Sequence, residues 1–383
     1  MGHFILKYYW PVLYHCIRFL GICPLQRDGE ENLKLTSPCG FWFRYLFILI
    51  LSFLIQGLVQ FYVFTTENID STEFMKGLVE NGGYSSGIDR LVTISNMILF
   101  GTLHFLHIAK TRTLAKGIIL MQNYINKYAL INKEELNWKM KHSYFKSIPC
   151  ILLFFSGQLI VQIGMLYLIK SELGVSTSST VALIAVFLIQ STVFIIPIFY
   201  FMFIYVELSY IFNIWCDEIK KLYESKSLLL QEAKYFIDGL NEIASNFAYF
   251  LFWITSICGI GIIFMGYTIS TTTYALNQSW EKVCIFTGYV LMEISWMYII
   301  YGMCTLSESV AKNVQELKKV ILNTEFQTGK SNSVCLLLDE FRGFDANGYF
   351  TLNHSLLTNL TTNFVTFLVI LVQFKQSESS DQN

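Results

Sequence analysis

Proline, charge and patterned cysteine are all scarce in this chain. Five prolines in 383 residues leave long stretches with nothing to break a helix. Only 14% of residues are charged, 54% are hydrophobic, and mean hydropathy is +0.47. A soluble domain carries about 25% charge, so this is not a soluble globular chain. The formal net charge of -1 argues against nucleic acid as a partner. The nine cysteines (Cys16, Cys23, Cys39, Cys150, Cys216, Cys258, Cys284, Cys304 and Cys335) are scattered, without CxxC spacing, so no zinc site or disulfide framework is expected. Of six histidines, only His104 and His107 share a helix face, a spacing that suits interhelical hydrogen bonds. No multi-His box or phosphate-binding glycine loop is present. No metal or other cofactor is expected, and the chain is not expected to be an enzyme. Tandem repeats are lacking as well, which argues against a transporter built from duplicated halves.

What the chain does have is apolar runs long enough to cross a bilayer as helices. Seven stand out, at about 41–64, 88–109, 147–169, 180–212, 243–268, 281–303 and 350–374. The fold class is therefore all-α, a polytopic membrane protein with seven transmembrane helices. An eighth apolar stretch, 4–20, is interrupted by Lys7, Pro11, His15 and Arg18 and has no small-residue cleavage site. It is expected to lie on the membrane surface or against the bundle rather than to be a cleaved leader.

Lysine and arginine set the orientation, because basic residues concentrate in cytoplasmic segments. The N-terminal stretch through Arg44 and the connections 110–146, 213–242 and 304–349 together carry 22 of the 27 basic residues. The opposite side carries Lys76, Arg90, Lys170, Lys282 and Lys375. This predicts a cytoplasmic N-terminus and an extracellular C-terminus, the reverse of a G-protein-coupled receptor. That class is further disfavoured by the lack of Asp-Arg-Tyr after the third span and of proline in the seventh. Asn277, in the sequon Asn277-Gln278-Ser279, falls outside in this scheme and is the candidate glycosylation site. The sequons at Asn353 and Asn359 fall inside the seventh span and read as chance.

Five segments follow. Residues 1–40 form a cytoplasmic N-terminal segment, 41–303 the first six spans, 304–349 a cytoplasmic helical anchor, 350–374 the seventh helix and 375–383 an extracellular tail. The fourth run is too long for the bilayer and should continue into the cytoplasm past Glu207, with a kink at Pro197. In 304–349, Val310, Val314, Leu317 and Ile321 form an apolar seam supported by the pair Glu308 and Lys312. Such stripes must pack together or between subunits, which favours a base joining protomers.

The seventh run is the most informative. Its first half carries Thr351, Asn353, His354, Ser355, Thr358, Asn359, Thr361, Thr362 and Asn363. Polar groups at this density should face other helices or water rather than lipid. Asn359, Thr362, Thr366, Val369 or Ile370, and Gln373 fall on one helical stripe. Two readings fit: the wall and constriction of a pore, or a helix buried in a bundle with its Thr and Asn bonded to neighbours.

The ending Thr366-Phe367-Leu368-Val369-Ile370-Leu371-Val372-Gln373-Phe374 resembles the C-terminal signature of the insect gustatory receptors, Thr-Tyr-(apolar)5-Gln-Phe. Phe367 stands where that family usually has Tyr. The preceding Gly348-Tyr349-Phe350-Thr351-Leu352-Asn353-His354-Ser355-Leu356-Leu357 is similar to the family's lead into its last helix. The resemblance implies a plasma-membrane, ligand-gated, non-selective cation channel, homotetrameric or hetero-oligomeric with other gustatory receptors. It implies that four copies of the last helix line the pore, with Gln373 and Phe374 at the gate and Val369, Ile370, Thr366 and Thr362 below. Partners are then a small-molecule tastant, permeating cations and membrane lipid. The family prior favours a bitter or deterrent plant compound, with a sugar sensor or an odorant receptor as alternatives.

Ligand candidates in the outer halves of spans two to six are Asn96, Gln162, Tyr167, Gln190, Thr192, Tyr267, Tyr289, Glu293 and Trp296. Aromatic walls with a few placed polar groups suit a small organic molecule; interhelical contact is the plainer role for each. Glu293 stands apart as a carboxylate between Met292 and Ile294 near the middle of span six. It either contacts a ligand or cation, or is neutral and bonded to a neighbouring hydroxyl.

Overall fold

The computed structural model describes residues 25–28, 32–35, 38–67, 133–224, 230–273, 280–328 and 344–380, with single helical positions and a short helical stretch between 98 and 120. Six long helices make up most of this: α1 (Pro38–Thr66), α2 (Lys133–Leu173), α3 (Thr177–Glu224), α4 (Leu230–Thr273), α5 (Trp280–Thr328) and α6 (His354–Ser380). A small antiparallel hairpin, β1 (Leu25–Asp28) with β2 (Asn32–Leu35), precedes them. Proline interrupts none of the helices. Pro149 lies inside α2 and Pro197 inside α3, and both helices run on past them.

All six long helices contain a stretch long and apolar enough to cross a membrane, and the chain is a multi-pass membrane protein. The expected second span, 88–109, lies mostly outside the described residues, with helix at Ile98, Gly101, Thr102 and Phe105. The apolar stretch 4–20 also lies outside them. At 48 and 49 residues, α3 and α5 reach about 72 Å and 74 Å at 1.5 Å per residue. A hydrocarbon core of about 30 Å takes up less than half of that, so both helices extend well beyond the membrane.

The extensions pack on each other within one chain. Val310, Val314, Leu317 and Ile321 are all buried, in the same core as Phe212, Trp215 and Ile219 of α3. The seam itself is therefore covered within the chain's own bundle. Polar ties flank it. Lys220 Nζ sits 2.7 Å from Glu316 Oε2, and the Asn313 amide donates to Asn213 Oδ1 at 2.8 Å.

Within the spans, small residues let helices approach closely, as apolar surface alone drives no association in lipid. Gly157 of α2 faces Gly288 of α5 so tightly that a Cβ on either would stand 2.6 Å from the other's carbonyl oxygen. One turn and more along the crossing, the Ser295 hydroxyl donates to the Cys150 carbonyl at 3.0 Å. At the far end, Glu67 just beyond α1 accepts hydrogen bonds from Ser176 and from Ser179 (2.6 Å), tying α1 to the start of α3.

The last helix departs from its expected bounds at both ends. Residues 344–353 are not helical, and helix continues through Lys375 to Ser380, where a tail was expected. The apolar residues Phe350 and Leu352 drew the predicted start too early. A tight turn holds them instead: Asp345 bridges Thr351, with Asn347 and Gly348 at positive φ (55° and 81°) and the Asp345 carboxylate accepting from the Gly348 N–H.

Candidate functional site

Helix α6 begins on a built foot. Asn353 Oδ1 accepts the Leu356 N–H at 2.8 Å, an N-cap that satisfies one of the helix's free donors. Glu308 of α5 accepts the His354 N–H at 2.6 Å, and its other oxygen lies 3.3 Å from His354 Nε2. The Tyr301 ring stacks on His354. Just before this foot, Phe344 is fully buried against Tyr205 and Phe212 of α3, while Tyr349 and Phe350 pack on Phe252 of α4. The start of α6 is therefore fixed to α3, α4 and α5 together.

Above the foot, the helix divides into two faces. Leu357, Leu360, Phe364, Leu368 and Leu371 are half-buried or buried and lie toward the chain's own bundle. The Phe364 ring seats on Gly266 of α4, in space that a Cβ would fill. At 100° per residue, the stripe Asn359, Thr362, Thr366, Ile370 and Gln373 points to the opposite side. Each of these residues is exposed, as is Val369 beside them. The hydroxyls of Thr362 and Thr366 donate to carbonyls one turn back (both 2.9 Å), so their oxygens stay open to the uncovered side. Phe374 continues the same helix beyond Gln373. The predicted polar stripe is thus not buried in this chain's bundle, which removes one of the two sequence readings for a single subunit.

The ligand candidates divide into three sets. Tyr289, Glu293 and Trp296 occupy one buried face of α5, and Tyr267 is buried on α4. Gln162, Gln190 and Thr192 are half-buried, Thr192 with its hydroxyl donating to the Leu188 carbonyl of its own helix. Tyr167 instead sits at the rim, 39% exposed, beside Trp280 and under the Lys170 ammonium. An amphipathic ring there matches a membrane-interface anchor. Asn96, Asn277, His104 and His107 lie outside the described residues, among which no group of His, Cys, Asp and Glu could hold a metal.

Around Trp296 the aromatic packing is dense. Its indole rests on Gly261 of α4, where a Cβ would meet Nε1 at 2.9 Å, and meets the Phe154 ring edge-on at 5.2 Å. Phe154 in turn contacts Phe199 of α3, so four helices converge here. One turn away on α5, both Glu293 oxygens are buried without a hydrogen-bond partner, as is Trp296 Nε1. The neutral, hydroxyl-bonded reading of Glu293 therefore finds no hydroxyl among the described residues. Sequence reasoning missed the Gln158–Ser191 hydrogen bond (3.0 Å) between α2 and α3, and Glu308 as the partner of α6. No local pattern marks either, because each partner is remote in sequence.

Comparison with known proteins adds to this geometry. No protein-family profile matches the chain. Gustatory receptor 68a of Drosophila melanogaster is 26% identical over 171 residues, covering 38% of this chain and 42% of that receptor, so the match spans under half of the relative's length. The insect olfactory receptor OR5 from Machilis hrabei superposes with a TM-score of 0.61 at 14% identity, covering 98% of this chain and all of that one. The same receptor in complex with eugenol gives a TM-score of 0.54 at 12% identity, with the same coverage. These relatives are receptors and none is an enzyme. The chain has the fold of an insect olfactory receptor and is similar over part of its length to an insect gustatory receptor.

Proposed function

We propose that the chain is a gustatory receptor of the plasma membrane that works as a ligand-gated, non-selective cation channel, four copies placing α6 around a central pore. One observation carries this reading. The polar stripe of α6 is turned directly away from the leucine face that seats on the chain's own bundle. An exposed row of Thr and Asn in hydrocarbon would be costly, so water or further subunits must face it. Four such helices about an axis give a wettable lower pore, narrowed by Val369 or Ile370 and closed at Gln373 and Phe374, where an apolar ring can dewet. The orientation is N-terminus inside and C-terminus outside, with the extensions of α3 and α5 in the cytoplasm. The ligand is a small organic molecule bound among α2, α3, α4 and α5, and a bitter or deterrent plant compound is the favoured class over a sugar. Because the solved olfactory receptor with this fold takes eugenol, an odorant ligand is the second reading.

Cysteine scanning tests the pore. In cells carrying the surface-expressed chain, Thr366→Cys and Gln373→Cys should make currents sensitive to a charged thiol reagent, with Leu360→Cys unaffected. Modification of Leu360→Cys alone would place the water-filled path on the other face of α6. Gln373→Ala should change gating or permeation, and unaltered currents at equal surface expression would remove Gln373 from the gate.

A further inference from the structure

Glu293 is one of two buried carboxylates among the described residues, the other being Glu207. Only Glu293 has both oxygens unsatisfied. No Lys, Arg or His is buried among the described residues. Tyr289, one turn outward along α5, and Trp296, one turn inward, are buried on the same helix face. The carboxylate therefore stands between two aromatic side chains in the interior of the membrane. An acid in that position carries a large solvation cost with no compensation among the described residues, and such residues mark functional sites.

The surroundings define what would satisfy it. A metal ion requires several oxygen or nitrogen ligands, and no cluster of ligating side chains is present among the described residues. An anion is repelled, and a neutral sugar hydroxyl would leave the charge unbalanced. An organic ammonium brings charge, N–H donors and apolar bulk at once, and its positive face is attracted to aromatic rings. We propose that this chain recognises a protonated aromatic amine, its ammonium on Glu293 and its ring among the aromatic side chains around Tyr289 and Trp296. This deepens the ligand-gated reading and rests on it for the site's biological role, although binding itself does not depend on gating. No covalent step is involved.

The probes are 2-phenylethylamine and tryptamine, each paired with the alcohol of the same shape, 2-phenylethanol and tryptophol. Purified full-length protein in detergent should show thermal stabilisation by the amines at concentrations at least tenfold below those needed for the alcohols. Glu293→Gln should erase that tenfold preference while leaving the alcohols unchanged, and Glu293→Asp should retain part of it. If Glu293→Gln fails to fold, Trp296→Phe provides the second variant and should weaken the amines severalfold. Equal effects of amine and alcohol on the wild-type protein, or no binding of either amine at millimolar concentration, would overturn the proposal. Current recording separates the two readings. Amine binding without current retains the ammonium site and rejects the channel, whereas currents evoked equally by the alcohols retain the channel and reject the ammonium site.

Discussion

At the residue scale, contacts between helices rest on a few positions where one atom more or less decides the fit. Gly266 is the clearest. Its missing side chain is the seat of Phe364, the largest residue on the bundle face of α6. Gly266→Ala forces the ring to shift, and overpacking of this kind costs about 1–3 kcal/mol. Thermal unfolding of the purified variant should begin at lower temperature, and the companion change Phe364→Leu should recover part of the loss. Glu67 offers a second test. The Ser176 hydrogen bond, then that from Ser179, hold its carboxyl below the ordinary value of 4.5. A folded-state value below the unfolded one adds stability above the unfolded value and loses it as pH falls through the folded one. Melting temperature should therefore drop below pH about 4.5, and Glu67→Gln should flatten that drop. A profile identical in the variant would show that these bonds make no contribution. Asn353 shows how local chemistry misleads: as a sequon it reads as chance, yet its side chain caps α6.

Among the elements, α6 shows what the sequence reveals and what it conceals. The stripe of Asn359, Thr362, Thr366 and Gln373 is legible because helical periodicity is a local property. Its start is not, because the turn 344–351 depends on the Asp345–Thr351 bridge and on Phe344 entering α3. The seam of Val310, Val314, Leu317 and Ile321 was equally legible as a stripe, but not its destination. An amphipathic face states that it will be covered, not by which chain. Glu293 was legible as an oddity, and only three dimensions show that it lacks a partner among the described residues. Glu308, read in advance only as the partner of Lys312, anchors α6 through the His354 N–H. With both side chains more than 40% exposed, its contact with His354 Nε2 adds little. The backbone bond is the larger part, at about 1 kcal/mol for a lost cap. Glu308→Ala should speed hydrogen exchange at the first turn of α6 by about fivefold, without changing exchange in α2. If exchange at residues 354–357 is unaffected, the foot is held by Asn353 and the aromatic packing alone.

For the whole molecule, orientation decides which functions are open. The 22 basic residues of the stretch through Arg44 and three connections, with the sequon at Asn277 on the opposite side, are the ground for placing the long ends of α3 and α5 in the cytoplasm. The structure adds a geometric constraint. Those extensions carry the Lys220–Glu316 pair and the Asn213–Asn313 bond on the side where α6 starts, so α6 must end on the other side of the membrane. The foot and the proposed gate thus belong to opposite compartments, whichever is outside. An epitope placed after Asn383 decides between them. Antibody should stain intact cells that express it, putting Gln373 near the outer mouth and the Glu308–His354 foot in the cytosol. Staining of a surface-expressed protein only after permeabilisation would invert every element at once. The Glu293 face would then open inward, out of reach of an external tastant, and the channel reading would lose its ligand before any current was recorded.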